Sequence, residues 1–320
     1  VNLKSDGSDT TEWAEPKWTL DTLKRDQRMD TKTESFHSDT KDDKTLVTEA
    51  LDGDREALNR LLRRHREKIF NLAVRMLWNE DDASDCTQEI LMKAATHLSS
   101  FQGRSAFQTW LYRIAANHVL TLKRKSKAES AISGFDCYQS CLAALSDTEM
   151  DTASPENALL VKETEIGCMV GMLLCLTRDQ RLVYVLGEIW EVGDVLGAEI
   201  TDITPENFRQ KLSRARRDLY SFLRGNCGLV DPSNPCRCAR KTEAFVKLGI
   251  VNPKNLQFSP HVKKRVEKNA KRQSRLLSGL TVEGVAAVFR EHPSFLSPDL
   301  ADQFKEIITN EKFKELLNLQ

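Results

Sequence analysis

In ENFRQKLSRARRDLYSFL, residues 206–223, Phe208, Leu212, Ala215, Leu219 and Phe222 recur at helical spacing and form one apolar face, while Arg209, Lys211, Arg214, Arg216 and Arg217 crowd the rest. Thr204 and Pro205 stand just ahead as an N-cap and a first helical residue. The preceding VLGAEITDIT, residues 195–204, supplies a shorter partner helix with small Ala198 close to Ile200 and Ile203. A helix, a tight turn and a capped basic helix make a helix-turn-helix. The second helix of that motif enters the major groove, early residues at base edges and flanking cations on phosphates. Glu206, Arg209, Gln210 and Ser213 are thereby assigned to bases, and Lys211, Arg214 and Arg217 to the backbone. The competing reading is a surface helix with solvated arginines.

Around this motif, 320 residues leave room for two or three domains. Lys plus Arg and Asp plus Glu both total 47, so only the distribution of charge can point to a partner. The longest apolar run, CMVGMLLCL at residues 168–176, is about half of what crosses a bilayer, and no membrane span is expected. VNLKSDGSDTTEWAEPKW at residues 1–18 has none of the features of a secretory signal, which makes the cytoplasm the expected location. Eight cysteines in that setting read as reduced thiols or metal ligands. No His-Glu-x-x-His, phosphate-cradling glycine loop or nucleophile elbow occurs, so the chain is not expected to be an enzyme.

The fold class is all-α: two helical domains, the second a helix-turn-helix, joined by a flexible linker and followed by a helical carboxy-terminal extension. Residues 1–44, rich in Asp, Thr, Ser and Lys without apolar periodicity, read as a disordered arm. Residues 45–125 carry the stripe Leu58, Leu61, Leu62, Ile69, Leu72, Ala73, Met76 and Leu77 of a first helical domain. Residues 126–154 turn small and polar and read as the linker, with one short helix. Residues 155–225 form the second domain, 226–240 a Cys-rich turn, and 241–320 an extension. That extension carries nine Lys or Arg against the single acid Glu267 between Lys247 and Arg275. VEGVAAVFREH and SPDLADQFKEIITNEKFKELL, further on, are expected to be amphipathic helices.

In the first domain, DDASDCTQEILMKAATHLSSFQGRSAFQTWLYRIAANHVLTLKRK at residues 81–125 joins an acidic helix start to an aromatic, basic second half. Phe101, Phe107, Trp110 and Tyr112 among Arg104, Arg113, Lys123, Arg124 and Lys125 suit unpaired bases, stacked on rings with their phosphates neutralised. Equally, Phe107, Trp110, Leu111 and Ile114 have core spacing, and the acids of NEDDASD suit any helix N-terminus.

DREALNRLLRRHREKIFNLAVRML, DASDCTQEILMKA and FQGRSAFQTWLYRIAANHVL resemble the second region of bacterial RNA polymerase sigma factors of the extracytoplasmic-function (ECF) group. LTRDQRLVYVLGEI through ITPENFRQKLSRARRDL resembles their fourth region. The resemblance implies that Asp82, Asp85, Gln88 and Glu89 dock on core polymerase. It implies that Phe101, Arg104, Trp110, Arg113, Asn117, Lys123 and Arg124 melt and line the −10 element, and that the helix from Glu206 to Arg217 reads the −35 element. The implied partners are core RNA polymerase, double-stranded and melted promoter DNA, and an anti-sigma or other regulatory protein. Two features depart from the family pattern: Leu196, Gly197 and Ala198 stand where Glu-Ile-Ala is usual, and Phe208 and Gln210 where Val and Ser are. The Cys-rich turn and tail resemble extensions carried by some members, which implies regulation. The alternatives are a stand-alone helix-turn-helix regulator, which leaves residues 101–125 unaccounted for, and a metal- or thiol-responsive DNA-binding sensor.

Cys227, Cys236 and Cys238 are spaced C-x8-C-x-C, and Pro232 and Pro235 stiffen the loop between them. Three thiolates with a fourth from Cys168 or Cys175 would hold zinc; a redox-reactive thiol set and inert cysteines are the other readings. Cys86, Cys137 and Cys141 lie outside this pattern, and no other cofactor is called for.

Overall fold

Short polar residues open the helices where the sequence places them. Asp42 accepts from the Thr45 amide at 2.8 Å and starts α1 (Asp43–Leu51). Asp54 accepts from the Glu56 and Ala57 amides at 2.9 and 3.1 Å and starts α2 (Arg55–Leu77). Asn79 accepts from the Asp82 amide and starts α3 (Glu80–Thr96). Each cap satisfies amides that have no partner inside the helix. α4 (Phe107–Thr121) has no side-chain cap and is fixed by its apolar face instead, with Phe107, Leu111, Ala115 and Val119 buried. The stripe expected on α2 is buried throughout and packs against α1, α3 and α4.

The computed structural model describes residues 42–122, 126–254, 256 and 290, and every regular element among them is helical. The arm before Asp42 lies outside these residues, as do Lys123, Arg124 and Lys125 and, apart from Arg290, the two helices expected near the carboxy terminus.

Residues 126–154 carry two helices where the sequence suggested a flexible linker with one. α5 (Lys127–Ala131) is capped by Ser126, whose hydroxyl accepts from the Glu129 amide and donates to Leu77 O at 2.8 Å. α6 (Phe135–Ala144) is held by its rings: Phe135 and Tyr138 lie 5.1 and 6.0 Å from Phe222. Burial of Tyr138 outweighs the polar composition that argued for a free linker.

α7 (Pro155–Met172) begins at the Ser154 cap with Pro155 in its first turn. α8 (Arg178–Tyr184) opens with a capping box of Thr177 and Gln180. A π-turn at Val185–Ile189 leads to α9 (Asp194–Thr201) and α10 (Pro205–Asn226), which Thr204 caps through the Asn207 amide. α9 and α10 are the helix-turn-helix. Phe208, Leu212, Ala215, Leu219 and Phe222, which the spacing placed on one apolar face, are all buried. α11 (Cys238–Lys247) packs along α7.

The first block and the helix-turn-helix block share one hydrophobic core. α9 packs directly on α4, with Tyr112 and Trp190 rings 5.1 Å apart. Trp78, in the left-handed region at φ 48°, lays its ring on Gly171, where a Cβ would come within 2.8 Å of it. Arg181, 1% exposed, donates to the carbonyls of Leu173, Leu174, Leu176 and Met76 and pairs with Glu129 at 3.4 Å. These carbonyls lie at or near the ends of helical segments, so one guanidinium ties the end of α2 to the second block.

Candidate nucleic-acid and polymerase interfaces

On α10 the residues assigned to bases, Glu206, Arg209, Gln210 and Ser213, are all exposed, as are Arg214 and Arg217. Lys211 is half-buried and donates to Asp179 at 2.7 Å. Arg209 lies between Asp194 at the start of α9 and Glu206, 3.0 Å from the latter. Its hydrogen bond holds the Asp194 carboxyl below its ordinary pKa, and the two carboxylates raise that of the guanidinium. Arg217 is paired with Asp218 at 3.2 Å. Arg216 turns inward instead: it pairs with Glu188, which is 2% exposed and also receives Arg290 at 3.4 Å.

The family departures form one packing solution. A Cβ on Gly197 would lie 2.5 Å from Phe208 Cε2, and one on Gly187 would lie 2.7 Å from Leu212 Cδ2 and 3.3 Å from Phe208 Cε1. The ring at 208 fills space that a side chain at 197 would occupy. A larger residue on α10 is compensated by a smaller one on α9, which leaves the exposed face of α10 free to present its polar residues.

In the first block, Phe101, Phe107 and Trp110 form a ring cluster with centroids 5.4 to 5.8 Å apart. Phe107 is core, as its spacing suggested, whereas Phe101 and Trp110 keep part of their surface. Gly103, at φ 65°, gives the 101–106 loop its turn, and Arg104 is exposed beside it. Trp110, Arg113 and Asn117 follow at helical spacing on α4, and the last two are exposed. The structure therefore brings Phe101, Trp110, Arg113 and Asn117 onto one side of the block. Lys123 and Arg124 belong to the residues not described.

On α3, Asp85 and Glu89 are exposed and Asp82 and Gln88 half-buried. Glu89 Oε2 stands 3.4 Å from His118 Nε2, off the line of a hydrogen bond, and Lys93 Nζ is 2.6 Å from His118 Nδ1. Burial, with help from Lys93, pushes the His118 pKa down. This tie between α3 and α4 joins the acidic surface to the aromatic one and had no sequence signature.

The four cysteines expected as ligands come from α7 and from both ends of the Cys-rich turn. Cys227 and Cys236 pair through their backbones, and Cys238 lies within electrostatic reach of Cys168, Cys227 and Cys236. Among the described residues no three His, Cys, Asp or Glu side chains already stand together as a metal-ligand set. Cys137 and Cys141, which the spacing left aside, interact with each other, and Cys137 reaches Cys175.

The arrangement is a basic helix-turn-helix packed against a block that carries an acidic and an aromatic surface. The sequence model of Sigma-70 region 2 matches residues 61–129. The RNA polymerase sigma-H factor of Pseudomonas aeruginosa is 36% identical over 185 residues, covering 57% of this chain and 93% of the relative. The ECF RNA polymerase sigma-E factor of Haemophilus influenzae is 32% identical over 178 residues, covering 54% and 91%. A solved structure, CnrH in complex with the cytosolic domain of CnrY, is 22% identical, covers 57% of this chain and 96% of that one, and superposes with a TM-score of 0.39. The chain belongs to the ECF RNA polymerase sigma factors. Its function is promoter recognition in transcription initiation. Among the described residues no helix is long and apolar enough to cross a membrane.

Proposed function

We propose that the chain carries core polymerase to promoters through α3, with Asp82, Asp85, Gln88 and Glu89 at the contact. On this reading α10 reads the −35 element in duplex form through Arg209, Gln210 and Ser213. Phe101, Arg104, Trp110, Arg113 and Asn117, continued by Lys123 and Arg124, hold the melted −10 strand. The observation that carries the proposal is the coexistence in one chain of an exposed basic recognition helix and a separate surface of half-exposed rings and cations. A stand-alone regulator has no use for the second surface. The working place of such a protein is the cytoplasm, beside its polymerase.

The carboxy-terminal extension acts on this machinery as a regulator, either itself or through an anti-sigma partner. Supporting a folded-back tail, Arg290 donates to Glu188 O and pairs with Glu191 at 3.1 Å, and Lys241 donates to Leu145 O at 2.7 Å. Runoff transcription with core polymerase tests the main reading: promoter-dependent transcripts are expected with core plus this chain and with neither alone. DNA binding without transcripts, and no coelution with core polymerase, would favour the stand-alone regulator.

A further inference from the structure

The Cys-rich turn is held in shape largely by hydrogen bonds of its backbone and polar side chains, and the Cys227 thiol itself accepts from the Leu229 and Val230 amides. Cys227 closes α10, its amide donating to Leu223 O at 2.8 Å, and its backbone pairs with that of Cys236. Between them, Asn234 Nδ2 donates to Arg224 O and Cys227 O at 2.9 and 3.2 Å, and Asp231 accepts from the Ser233 amide and hydroxyl at 2.9 and 2.7 Å. The Arg237 guanidinium donates to Pro232 O at 2.7 Å, to Cys236 O at 2.9 Å and to Asn234 O. Gly228 is obligatory, because a Cβ there would overlap Cys236 O and the Arg237 side chain. Cys238 then opens α11, which runs along α7, the helix that carries Cys168. Tyr138, buried, donates from its hydroxyl to Cys168 O at 2.8 Å and lies beside Cys175 and Cys236 as well.

We propose that Cys168, Cys227, Cys236 and Cys238 close on one zinc ion and so bolt the end of the recognition helix and the start of the extension to α7. Three chain segments bring the four cysteines to neighbouring backbone positions on a frame that is already closed by hydrogen bonds, so little chain entropy remains to be lost when a metal binds. The sulfurs are not yet at ligand spacing, and the site closes by rotation about Cα–Cβ, the one torsion each cysteine has. A dication bound there would take up four thiolates and release their protons to solvent. The four-thiolate zinc centre carries two net negative charges, and Arg237 and Lys241 stand beside Cys236 to offset them.

The test uses the full chain, reduced and stripped of metal, titrated with cobalt(II) as the spectroscopic probe for zinc. Saturation at one equivalent is expected, with visible bands of tetrahedral cobalt and a near-ultraviolet sulfur-to-cobalt band. Cys168→Ser, Cys227→Ser, Cys236→Ser and Cys238→Ser should each lose about a quarter of the sulfur-to-cobalt intensity, one ligand of four. Cys175→Ser and the pair Cys137→Ser with Cys141→Ser should titrate like the parent, with helical circular dichroism confirming that all variants fold. Only weak octahedral cobalt absorption in the folded parent would overturn the proposal. So would full intensity in Cys227→Ser, or loss in the Cys137 and Cys141 pair. Runoff transcription by the parent chain does not depend on the cobalt titration, so the promoter function and the metal site fail separately.

Discussion

Exchanging the sizes of residues 197 and 208 tests whether Gly197 and Phe208 are one packing unit. Phe208 is 0% exposed, and its ring leaves no room for a Cβ at 197. Phe208→Val alone removes four carbons from a closed site; at about 0.8 kcal/mol per buried CH2, the loss is about 3 kcal/mol before any cavity term. Gly197→Ile alone forces a branched side chain into the ring and should cost about 1–3 kcal/mol, even though leaving glycine gains about 0.5 kcal/mol of helix propensity. Together, Gly197→Ile with Phe208→Val returns to the arrangement usual in the family, and the double variant should regain at least about 2 kcal/mol relative to the sum of the singles. Urea midpoints of the full chain at constant m-value measure this, and affinity for a −35 duplex shows whether α10 keeps its orientation. Additive single effects, within about 0.5 kcal/mol, would refute the pairing.

Four further outcomes are expected. Arg209→Ala should weaken −35 duplex binding by about tenfold or more and relax preference at one base pair, whereas Arg214→Ala should weaken all sequences alike and flatten the salt slope by about one unit; identical losses would mean that α10 is rotated from the proposed orientation. Asp85→Lys, at an exposed residue with no ion pair among the described residues, should cut core polymerase binding by about tenfold with unchanged circular dichroism, and undiminished coelution would remove α3 from the contact. Burial lowers the pKa of His65 and His118 below the ordinary 6.5, so the unfolded chain binds protons first and stability should fall as pH drops below about 6.5; a urea midpoint that is flat or rises from pH 7.5 to 5 would contradict this. Glu129→Gln leaves the buried Arg181 without its carboxylate and should weaken the packing of the two blocks by about 3–5 kcal/mol, seen as an increase in radius of gyration by small-angle scattering; an unchanged radius would show that this pair does not hold them.

Much of this architecture was legible because it is local. The α10 face is written at helical spacing with its own cap, and Thr204, Pro205, Phe208 and Leu212 took up the places that spacing gives them. The exposed polar face of α10 follows from the same periodicity. What could not be read were the pairings between residues far apart in the chain. Arg216 looks like its neighbours in sequence, and only the buried Glu188, twenty-eight positions earlier, makes it structural. Gly197 and Phe208 each looked like a departure from family usage, and their complementarity exists only once α9 lies on α10. Residues 126–154 misled by composition: Ser, Ala and Asp dominate, yet Phe135 and Tyr138 dock on Phe222 while Ser126 and Glu129 bond to Leu77 O, Arg178 and Arg181.

That docked segment also sets what the molecule must do on a promoter. On the proposed assignment α10 reads the −35 element and α4 the −10 element, positions about 25 base pairs apart and so on the order of 85 Å at 3.4 Å per step. Here α10 packs on α9 and α9 on α4, and two such helix contacts separate the readers by only about 20 Å. The compact arrangement therefore engages one element or the other, never both. Twenty-nine residues, 126–154, span at most about 95–105 Å when extended, so the segment is long enough to bridge the elements only if α5 and α6 let go. Letting go exposes Phe135 and Tyr138, breaks the Tyr138 bond to Cys168 O, and uncovers Arg181 and Glu129. Core polymerase and DNA must bind the open form more tightly by more than that cost, and whatever strengthens the closed contacts lowers apparent promoter affinity by the fraction it removes from the open population. Tyr138 links this opening to the Cys-rich turn: its hydroxyl bonds to the residue proposed as the zinc ligand on α7, so an event at the thiols acts on the same contact that holds the linker shut.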